Sequence, residues 1–407
     1  MAVVAFLALV FAIAVAFPVV VLTAECLAAL LPQRRAETTA APPRLAVLIP
    51  AHDEQKEIGH TVAAVLRQVR PEDVVLVVAD NCTDKTADVA RAAGAMVLQR
   101  SDPSRRGKGY ALDFGVRYLT RDAPEILVVM DADCRPSDGA IMRIAAVAAA
   151  TGRPVQCTYL MDSPAQASPR DLVSAFAFAV KNHVRPKGLS RLGGPCQLTG
   201  TGMAFPFGIL KETPLASGNI VEDMQLGVDL GLRGHPAIFC PEAEVRSSLP
   251  RWSAASLAQR RRWEHGHLQV LLSHAPRLAL AAALQGRPSL LALTLDLCVP
   301  PVSLLAVLWF VSLLLSALSA ATGQGLAPLA MSLAGGGCLV LAVLAAWLVA
   351  GRSIIPLRML LAAPWYALSK LPLYGRFLTG RQREWVRTER QPASGPEPEG
   401  ATEPSRP

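Results

Sequence analysis

The sequence predicts an α/β domain built on a parallel sheet and attached to α-helical transmembrane segments. Three observations predict this. Short apolar runs alternate with amphipathic stretches between about residues 45 and 130, an order typical of parallel sheets covered by helices on both faces. Long, almost continuously apolar runs lie at the start of the chain and in its last third. Of the 407 residues, 52% are apolar and only 18% are charged, which favours membrane spans over an oversized soluble core.

The N-terminal apolar run, residues 3–31, is long enough to cross a bilayer as a helix, which takes about 20 residues. No positive charge precedes the run, which argues against a cleaved signal peptide. Arg34 and Arg35 follow directly, so the positive-inside rule places the C-terminal end of the run inside. We expect residues 1–32 to form an outside-to-inside anchor, with Glu25 near the membrane interface.

Three apolar runs, at 45–49, 74–78 and 126–130, predict buried strands. Helical spacing predicts helices over 56–70, 83–93 and 110–119. Parallel sheets bind ligands at the carboxyl ends of their strands, and the residues there are acidic: Glu54, Asp80, Asp131 and Asp133. Neither G-x-G-x-x-G nor a phosphate-binding loop is present in the sequence. If nucleotide phosphates bind beside these carboxylates, a divalent cation must screen the repulsion.

Asp131 and Asp133 flank Ala132 after the third predicted strand. Alternation places both carboxylates on one side of an extended segment, and their hard oxygens suit Mg²⁺ or Mn²⁺ together with a diphosphate. The alternative is a strand-end turn with solvated aspartates. The other acidic strand ends nearby favour the metal site.

Glu222 and Asp223 open a stretch with helical apolar spacing, residues 224–232. Acids at a helix start are stabilised by the helix dipole. A carboxylate there is also a candidate general base that removes a proton from an acceptor hydroxyl. The two interpretations are compatible, because a helix start can present its carboxylate to a cleft.

A basic amphipathic helix is predicted over 254–272, and Gln259, Arg262 and Trp263 fall on one of its faces. Arginine suits a diphosphate and tryptophan suits a sugar face. A basic helix lying on anionic lipid is the alternative, and the motif alone favours it. Lys108, between two glycines, is either a nucleotide ligand or a solvated lysine.

Apolar stretches at 290–320 and 329–350 predict two further spans joined by a short uncharged external turn. Residues 354–373 are apolar but interrupted by Arg358, Pro364, Lys370 and Pro372. We expect an interfacial or re-entrant segment, because a fourth span would place the following arginine-rich segment outside. A fourth span is the alternative. The tail, 374–407, is predicted to be basic and then disordered.

The net charge of +8 is concentrated in arginine clusters beside apolar stretches. This placement predicts juxtamembrane contacts with lipid and no nucleic-acid partner. The eight cysteines form no C-x-x-C pair, so neither a zinc nor a redox motif is indicated. Scattered cysteines are typical of a reducing compartment, which predicts a cytosolic catalytic region.

Taken together, these motifs resemble family 2 glycosyltransferases of the cellulose synthase and hyaluronan synthase-like branch. The resemblance covers about residues 45–272. Each motif alone is a weak indicator of the family, but the motifs in this order are specific for it. The matching stretches are V-L-I-P-A-H-D-E at 47–54, A-D-N-C-T-D at 79–84, G-K-G-Y-A-L at 107–112, M-D-A-D at 130–133, G-T-G at 200–202, V-E-D at 221–223 and Q-x-x-R-W at 259–263.

The resemblance implies an A-type (Rossmann-like) glycosyltransferase fold, a nucleotide-sugar donor, Mg²⁺ or Mn²⁺ and an inverting single displacement. It assigns the metal to Asp131 and Asp133 and the base to Asp223, beside Glu222. The expected donor and acceptor residues are Glu54 and Asp80 at the nucleoside, Asp131 and Asp133 at the diphosphate, Gly200, Thr201 and Gly202 near the acceptor, and Gln259, Arg262 and Trp263 closing over the diphosphate and the acceptor end. Lys108 is a further candidate for binding the nucleotide sugar.

The expected organisation is an anchor (1–32), a cytosolic catalytic domain (44–250), interface helices (251–285), transmembrane and interfacial helices (288–373) and a tail (374–407). We expect a multi-pass inner-membrane enzyme that transfers a hexose from a nucleotide sugar to a saccharide or lipid-linked acceptor. UDP-hexose is the expected donor. Its product would enter an exopolysaccharide or a cell-surface polysaccharide, with polysaccharide-export proteins as partners. Three spans are fewer than those of synthases that thread their polymer across the membrane. The alternatives are a glycolipid synthase of the ceramide glucosyltransferase type and a non-catalytic scaffold of a polysaccharide synthase.

Overall fold

The computed structural model describes residues 2–32, 43–164, 166–217, 221–248 and 254–379, without the side chains of residues 2–4, 254–259 and 378. The predicted charge pair Arg34 and Arg35 and most of the predicted tail lie outside the described residues. Within these ranges the chain forms one α/β domain followed by a bundle of apolar helices.

One mixed sheet of eight strands forms the centre of the α/β domain, in the order β3-β2-β1-β4-β7-β6-β8-β5. The predicted strands β1, β2 and β4 are parallel, as expected, and β3 is parallel to β2, whereas β7 runs antiparallel to both β4 and β6. Their bounds are β1 Leu45–Ala51, β2 Val74–Asp80, β3 Met96–Arg100, β4 Ile126–Val129, β5 Cys134–Pro136, β6 Val155–Asp162, β7 Met203–Pro206 and β8 Ile238–Ser248.

The strand that precedes Asp131 is the fourth, and its prediction as the third was wrong because β3 was missed. β3 is an edge strand whose residues are exposed or half-buried. It therefore lacks the continuous apolar run by which β1, β2 and β4 were recognised.

Fifteen α-helices accompany the sheet in the described part of the chain, and a π-helical turn, Val180–Val184, joins α6 to α7. Their bounds are α1 Ala2–Ala28, α2 Ile58–Leu66, α3 Thr86–Ala92, α4 Lys108–Leu119, α5 Ala140–Thr151, α6 Pro169–Ala179, α7 Arg185–Arg191, α8 Phe207–Lys211, α9 Glu222–Leu232, α10 Ala254–Gln285, α11 Pro288–Leu297, α12 Val302–Ala321, α13 Ala327–Val349, α14 Ala363–Ser369 and α15 Leu371–Thr379.

Both faces of the sheet are covered, so successive residues of the central strands are buried on opposite sides. Val47 and Val128 pack in one core with residues of α2 and α5. Leu48 and Leu127 pack in the other core with residues of α4 and α9. The continuous apolar runs of β1 and β4 follow from this burial.

Among the described residues, three helices are long and apolar enough to cross a membrane: Ala5–Ala28, Val302–Ala321 and Ala327–Val349. They pack against one another through a shared apolar cluster. The predicted span 290–320 is divided, because Pro300 and Pro301 separate α11 from α12. Residues 354–373 form a 3₁₀ turn, Leu357–Ala362, and short helices, each too short to cross a bilayer.

A buried charge cluster joins α1 to the α/β domain. Arg185 Nε donates to Glu25 Oε2 at 2.7 Å, and Arg185 Nη2 donates to Asp296 Oδ1 at 2.6 Å. Gln197 Nε2 donates to the other oxygen of Asp296 at 2.5 Å. Glu25, which was expected near the membrane interface, is buried against α7, where the Arg185 guanidinium balances its charge.

Candidate active site

The loop 200–202 is hydrogen-bonded to the backbone that follows β4. The Asp131 N–H donates to Thr201 Oγ1 at 3.0 Å, and the Thr201 carbonyl accepts from Gln156 Nε2 at 2.9 Å. Thr201 is fully buried. The loop predicted to lie near an acceptor therefore also fixes the start of the Asp131–Asp133 turn.

Lys108, the first residue of α4, brings a positive charge into this turn. Its ammonium donates to Asp131 Oδ1 and, at 2.6 Å, to the carbonyl of Gly200. It lies 4.0 Å from Glu222 Oε1. Burial by itself would lower the pKa of Lys108, but the negative charges of Asp131 and Glu222 outweigh this effect and raise the pKa. The lysine is thus part of the acidic cluster and not a solvated side chain.

Gly200 lies where the two predicted carboxylate groups meet. A Cβ on Gly200 would be 3.2 Å from Asp223 Oδ2, 3.4 Å from Lys108 Nζ and 3.9 Å from Asp131 Oδ2. The first turn of α9 therefore brings the Asp223 carboxylate to the same point as the Asp131 carboxylate, which follows β4. We call Lys108, Asp131, Glu222 and Asp223 the acid–lysine cluster.

Burial raises the pKa of two carboxyl groups of this cluster, Glu222 and Asp131. Burial and the neighbouring charge of Asp223 raise the pKa of Glu222 to about 7. Burial raises the pKa of Asp131 as well, against the opposing effect of Lys108. The cluster is therefore suited to a cationic or proton-donating ligand.

Arg262 of α10 lies within the electrostatic reach of the cluster. Burial lowers its pKa, and the charges of Glu222, Asp131 and Asp223 oppose that shift. Trp263, next along the helix, packs on Phe178 with ring centroids 5.8 Å apart. Gln259 falls in the first turns of α10, where the structure does not describe its side chain.

Of the two acidic residues predicted to contact a nucleoside, Glu54 lies in the loop after β1 and Asp80 is the last residue of β2. Asp80 is buried and pairs with Arg100 Nη1 at 2.5 Å, because the two residues are register partners of β2 and β3. The N–H of Glu54 donates to Thr86 Oγ1 at 2.7 Å, which ties the loop after β1 to the start of α3.

The donor set after β4 fits a divalent cation. Ligand atoms of Asp131, Asp133 and Cys134 lie within 4.8 Å of one another. Burial raises the pKa of the Cys134 thiol well above its ordinary value, so the two aspartates supply the anionic oxygens. Hard oxygen ligands of this kind suit Mg²⁺ or Mn²⁺. The assignment of a metal to Asp131 and Asp133 stays a prediction.

Sequence reasoning missed two cations near these acids. Arg100 belongs to the unpredicted strand β3, so its pairing with Asp80 had no local signal. Lys181 lies in the π-helical turn, where burial lowers its pKa and the charge of Asp223 partly offsets that shift. π-Helical turns are frequent at functional sites, but a single lysine in an apolar stretch does not identify one.

Comparison with known proteins identifies related chains. The 4,4'-diaponeurosporenoate glycosyltransferase of Staphylococcus aureus (strain USA300) is 35% identical over 102 residues, which is 21% of this chain and 27% of the relative. This chain therefore spans only about a quarter of that relative's length. A mannosyltransferase from Pyrobaculum calidifontis, solved with GDP-Man and Mn²⁺, is 19% identical with a TM-score of 0.57, covering 94% of this chain and 99% of the other. That likeness shows a shared fold.

The family assignment rests on a match over more than half of the chain. Residues 42–266 match the model described as "Glycosyltransferase like family 2". These residues include β1 to β8 and extend into α10. They therefore contain the acid–lysine cluster, Arg262 and Trp263. The chain belongs to glycosyltransferase-like family 2 and carries the A-type glycosyltransferase fold, with three apolar helices that could span a membrane.

Proposed function

We propose that this protein is an inverting, metal-dependent hexosyltransferase that uses a nucleotide sugar, with UDP-hexose as the first donor to test. The observation that carries the proposal is the convergence of Lys108, Asp131 and Asp223 on Gly200. Carboxylates for a metal, a cation for phosphate and a candidate base thus meet at one point. Such a set suits transfer of a sugar from a diphosphate.

Donor binding is assigned to both sides of the cleft. Asp131 and Asp133 would hold Mg²⁺ or Mn²⁺, which when bound neutralises charge on the diphosphate. Arg262 and Lys108 balance the charge that develops on the leaving group. Gln259 closes over the diphosphate in this proposal. Glu54 and Asp80 contact the nucleoside, with Arg100 holding the Asp80 carboxylate in place.

Proton transfer is assigned to Asp223, with Glu222 beside it. The carboxylate takes the proton of an acceptor hydroxyl while that oxygen forms a bond to the anomeric carbon. The bond from that carbon to the diphosphate breaks, the nucleoside diphosphate leaves, and the configuration inverts. Asp223 Oδ1 accepts from the Met224 N–H at 2.8 Å, which holds the carboxylate at the N-terminal end of α9.

The acceptor in this proposal is a saccharide or lipid-linked saccharide that binds near Gly200, Thr201, Gly202 and Trp263. We further propose that the chain acts at the cytosolic face of the inner membrane, within the cellulose synthase and hyaluronan synthase-like branch. Its product would enter an exopolysaccharide, with export proteins as partners. The ordered motifs and the three apolar helices support this assignment.

A second candidate is a glycolipid synthase of the ceramide glucosyltransferase type, with a membrane lipid as acceptor. It is favoured by the packing of α9, which carries Asp223, directly against α10 and α11 beside the membrane helices. A non-catalytic scaffold is disfavoured, because a scaffold has no need to keep buried carboxylates clustered around Lys108.

The test uses the full chain in lipid nanodiscs with a panel of UDP- and GDP-sugars, with Mn²⁺, Mg²⁺ or EDTA. We expect nucleotide release and sugar transfer with one hexose donor and their loss in EDTA. Sizing of the product separates a single addition from a polymer, and lipid extraction separates the two acceptor classes. Folded wild-type protein that transfers no sugar from any donor contradicts the proposed function.

A further inference from the structure

A buried ion pair connects α10 to the C-terminal helices. The ammonium of Lys370, which directly follows α14, donates to Glu264 Oε1. Lys370 is 6% exposed and Glu264 is 9% exposed. The Lys370 ammonium also lies 4.5 Å from the centre of the Tyr366 ring. Glu264 follows Arg262 and Trp263 in α10, and Arg262 lies within the electrostatic reach of the acid–lysine cluster.

The same turn of α10 has a second attachment to the C-terminal helices. His265 Nε2 lies 2.9 Å from the carbonyl of Leu373, and its ring meets Phe377 edge-on at 5.3 Å. The Tyr374 hydroxyl lies 2.6 Å from Ser303 Oγ at the start of α12. Residues 363–379 therefore connect the first turn of a candidate membrane span to α10.

The opposite side of this turn contacts the residues before the candidate base. A Cβ on Gly266 would lie 2.3 Å from Val221 Cγ1, so α10 packs here without space for a side chain. Val221 directly precedes Glu222 and Asp223. The segment 264–266 is thus held between the start of α9 and the C-terminal helices.

A buried ion pair is an inefficient way to gain stability, because desolvation of the charges offsets their attraction. It does fix geometry, since a buried ammonium and carboxylate must stay in contact. We propose that Lys370 is a positioning residue, which through Glu264 holds Arg262 and Trp263 at the acid–lysine cluster. The C-terminal helices are then part of the transferase. This inference rests on the proposed function.

The experiment compares full-length variants in nanodiscs with the donor that the wild type uses. Lys370→Met is expected to lower kcat/KM by about 10- to 100-fold, because a small displacement of Arg262 misplaces the leaving group. The KM for the donor is expected to rise. Lys370→Arg keeps the pair and is expected to stay within about threefold of wild type. Arg376→Met, an exposed position of α15, is the matched control without effect.

A coupling measurement separates positioning from general destabilisation. On an Arg262→Lys background, Lys370→Met is expected to cost less than about threefold, because both changes act on the same contact. Fully additive losses, or wild-type kinetics in Lys370→Met, overturn the positioning role. If Lys370→Met does not fold, Glu264→Gln replaces it with the same expectations. If the wild type transfers no sugar at all, the proposed function fails and this inference fails with it.

Discussion

At the scale of single residues, the site depends on the balance between one ammonium and several carboxylates. Lys108 contacts Asp131 and the carbonyl of Gly200, and Glu222 lies 4.0 Å away. Asp223, in the first turn of α9, lies close to the same point, but among the described residues no hydrogen bond joins it to Lys108. This arrangement leaves the Asp223 carboxylate available for an acceptor proton, while Asp131 is oriented by the lysine.

Asp223→Asn tests the assignment of the base. We expect kcat to fall by about 100-fold or more, because an amide cannot take the acceptor proton. The donor KM is expected to change little, since the substitution keeps the shape of the side chain. Steady-state transfer kinetics measure both constants. Asp229→Asn, on the same helix, is the control, and equal losses in the two variants contradict the assignment.

The Glu222 carboxyl predicts a pH dependence of stability in metal-free protein. Its pKa rises from an ordinary value of 4.5 to about 7 on folding, through burial and the Asp223 charge. The folded state therefore binds the proton more tightly, so the free energy of unfolding falls as pH rises from about 4.5 to about 7 and then levels off. Thermal unfolding in EDTA across this range should show the decline. Glu222→Gln should flatten it, and an equal decline in that variant would rule out Glu222 as the source.

At the scale of elements, the second half of the sheet decides how the loop 200–202 is held. β7 begins at Met203 and runs antiparallel to β4 and β6. The loop before it therefore passes under the carboxyl end of β4, where Thr201 binds the backbone of Asp131. A wholly parallel sheet would not return the chain to this point.

Gly202→Ala tests the packing of this loop. A Cβ there would lie 2.1 Å from Cys157 Sγ, and φ is 62°. We expect a loss of about 1–3 kcal/mol in stability, measured by thermal unfolding. Gly208→Ala is the control, because nothing lies within 4 Å of its Cβ position. An unchanged midpoint in Gly202→Ala would show that the loop has room for a side chain.

At the scale of the whole molecule, a buried charge cluster fastens the N-terminal helix to the α/β domain. Glu25 belongs to α1, Arg185 to α7 and Asp296 to α11. The helix is therefore held by polar contacts as well as by its apolar surface. Since the three residues lie far apart in the sequence, their association couples the N-terminal apolar helix to the α/β domain.

Arg185→Met is expected to destabilise the protein by about 3–5 kcal/mol, because it leaves two buried carboxylates without their cation. Thermal unfolding of detergent-solubilised protein measures the loss. Lys187→Met, on the same helix but only half-buried, is the control and should unfold near the wild-type temperature. Equal midpoints for both variants would show that the cluster does not fasten α1.

The sequence alone determined the elements whose signal is local. The apolar runs of β1, β2 and β4, the helix start at Glu222 and the three apolar helices were predicted because burial imposes a periodic pattern on neighbouring residues. The acidic residues after the strands were likewise found by their position. β3 was missed because an edge strand lacks this apolar pattern. The break at Pro300 and Pro301 was overlooked because it lies inside an apolar run.

The tertiary structure alone decided which charges meet. Asp80 pairs with Arg100, Lys108 contacts Asp131, Glu25 pairs with Arg185, and Glu264 pairs with Lys370. A charged side chain carries no local sign of its partner, because the pairing depends on which segments the sheet and the helix bundle bring together. In the sequence, Lys370 was interpreted only as an interruption of an apolar segment. The tertiary structure shows that it is the buried partner of Glu264 in α10.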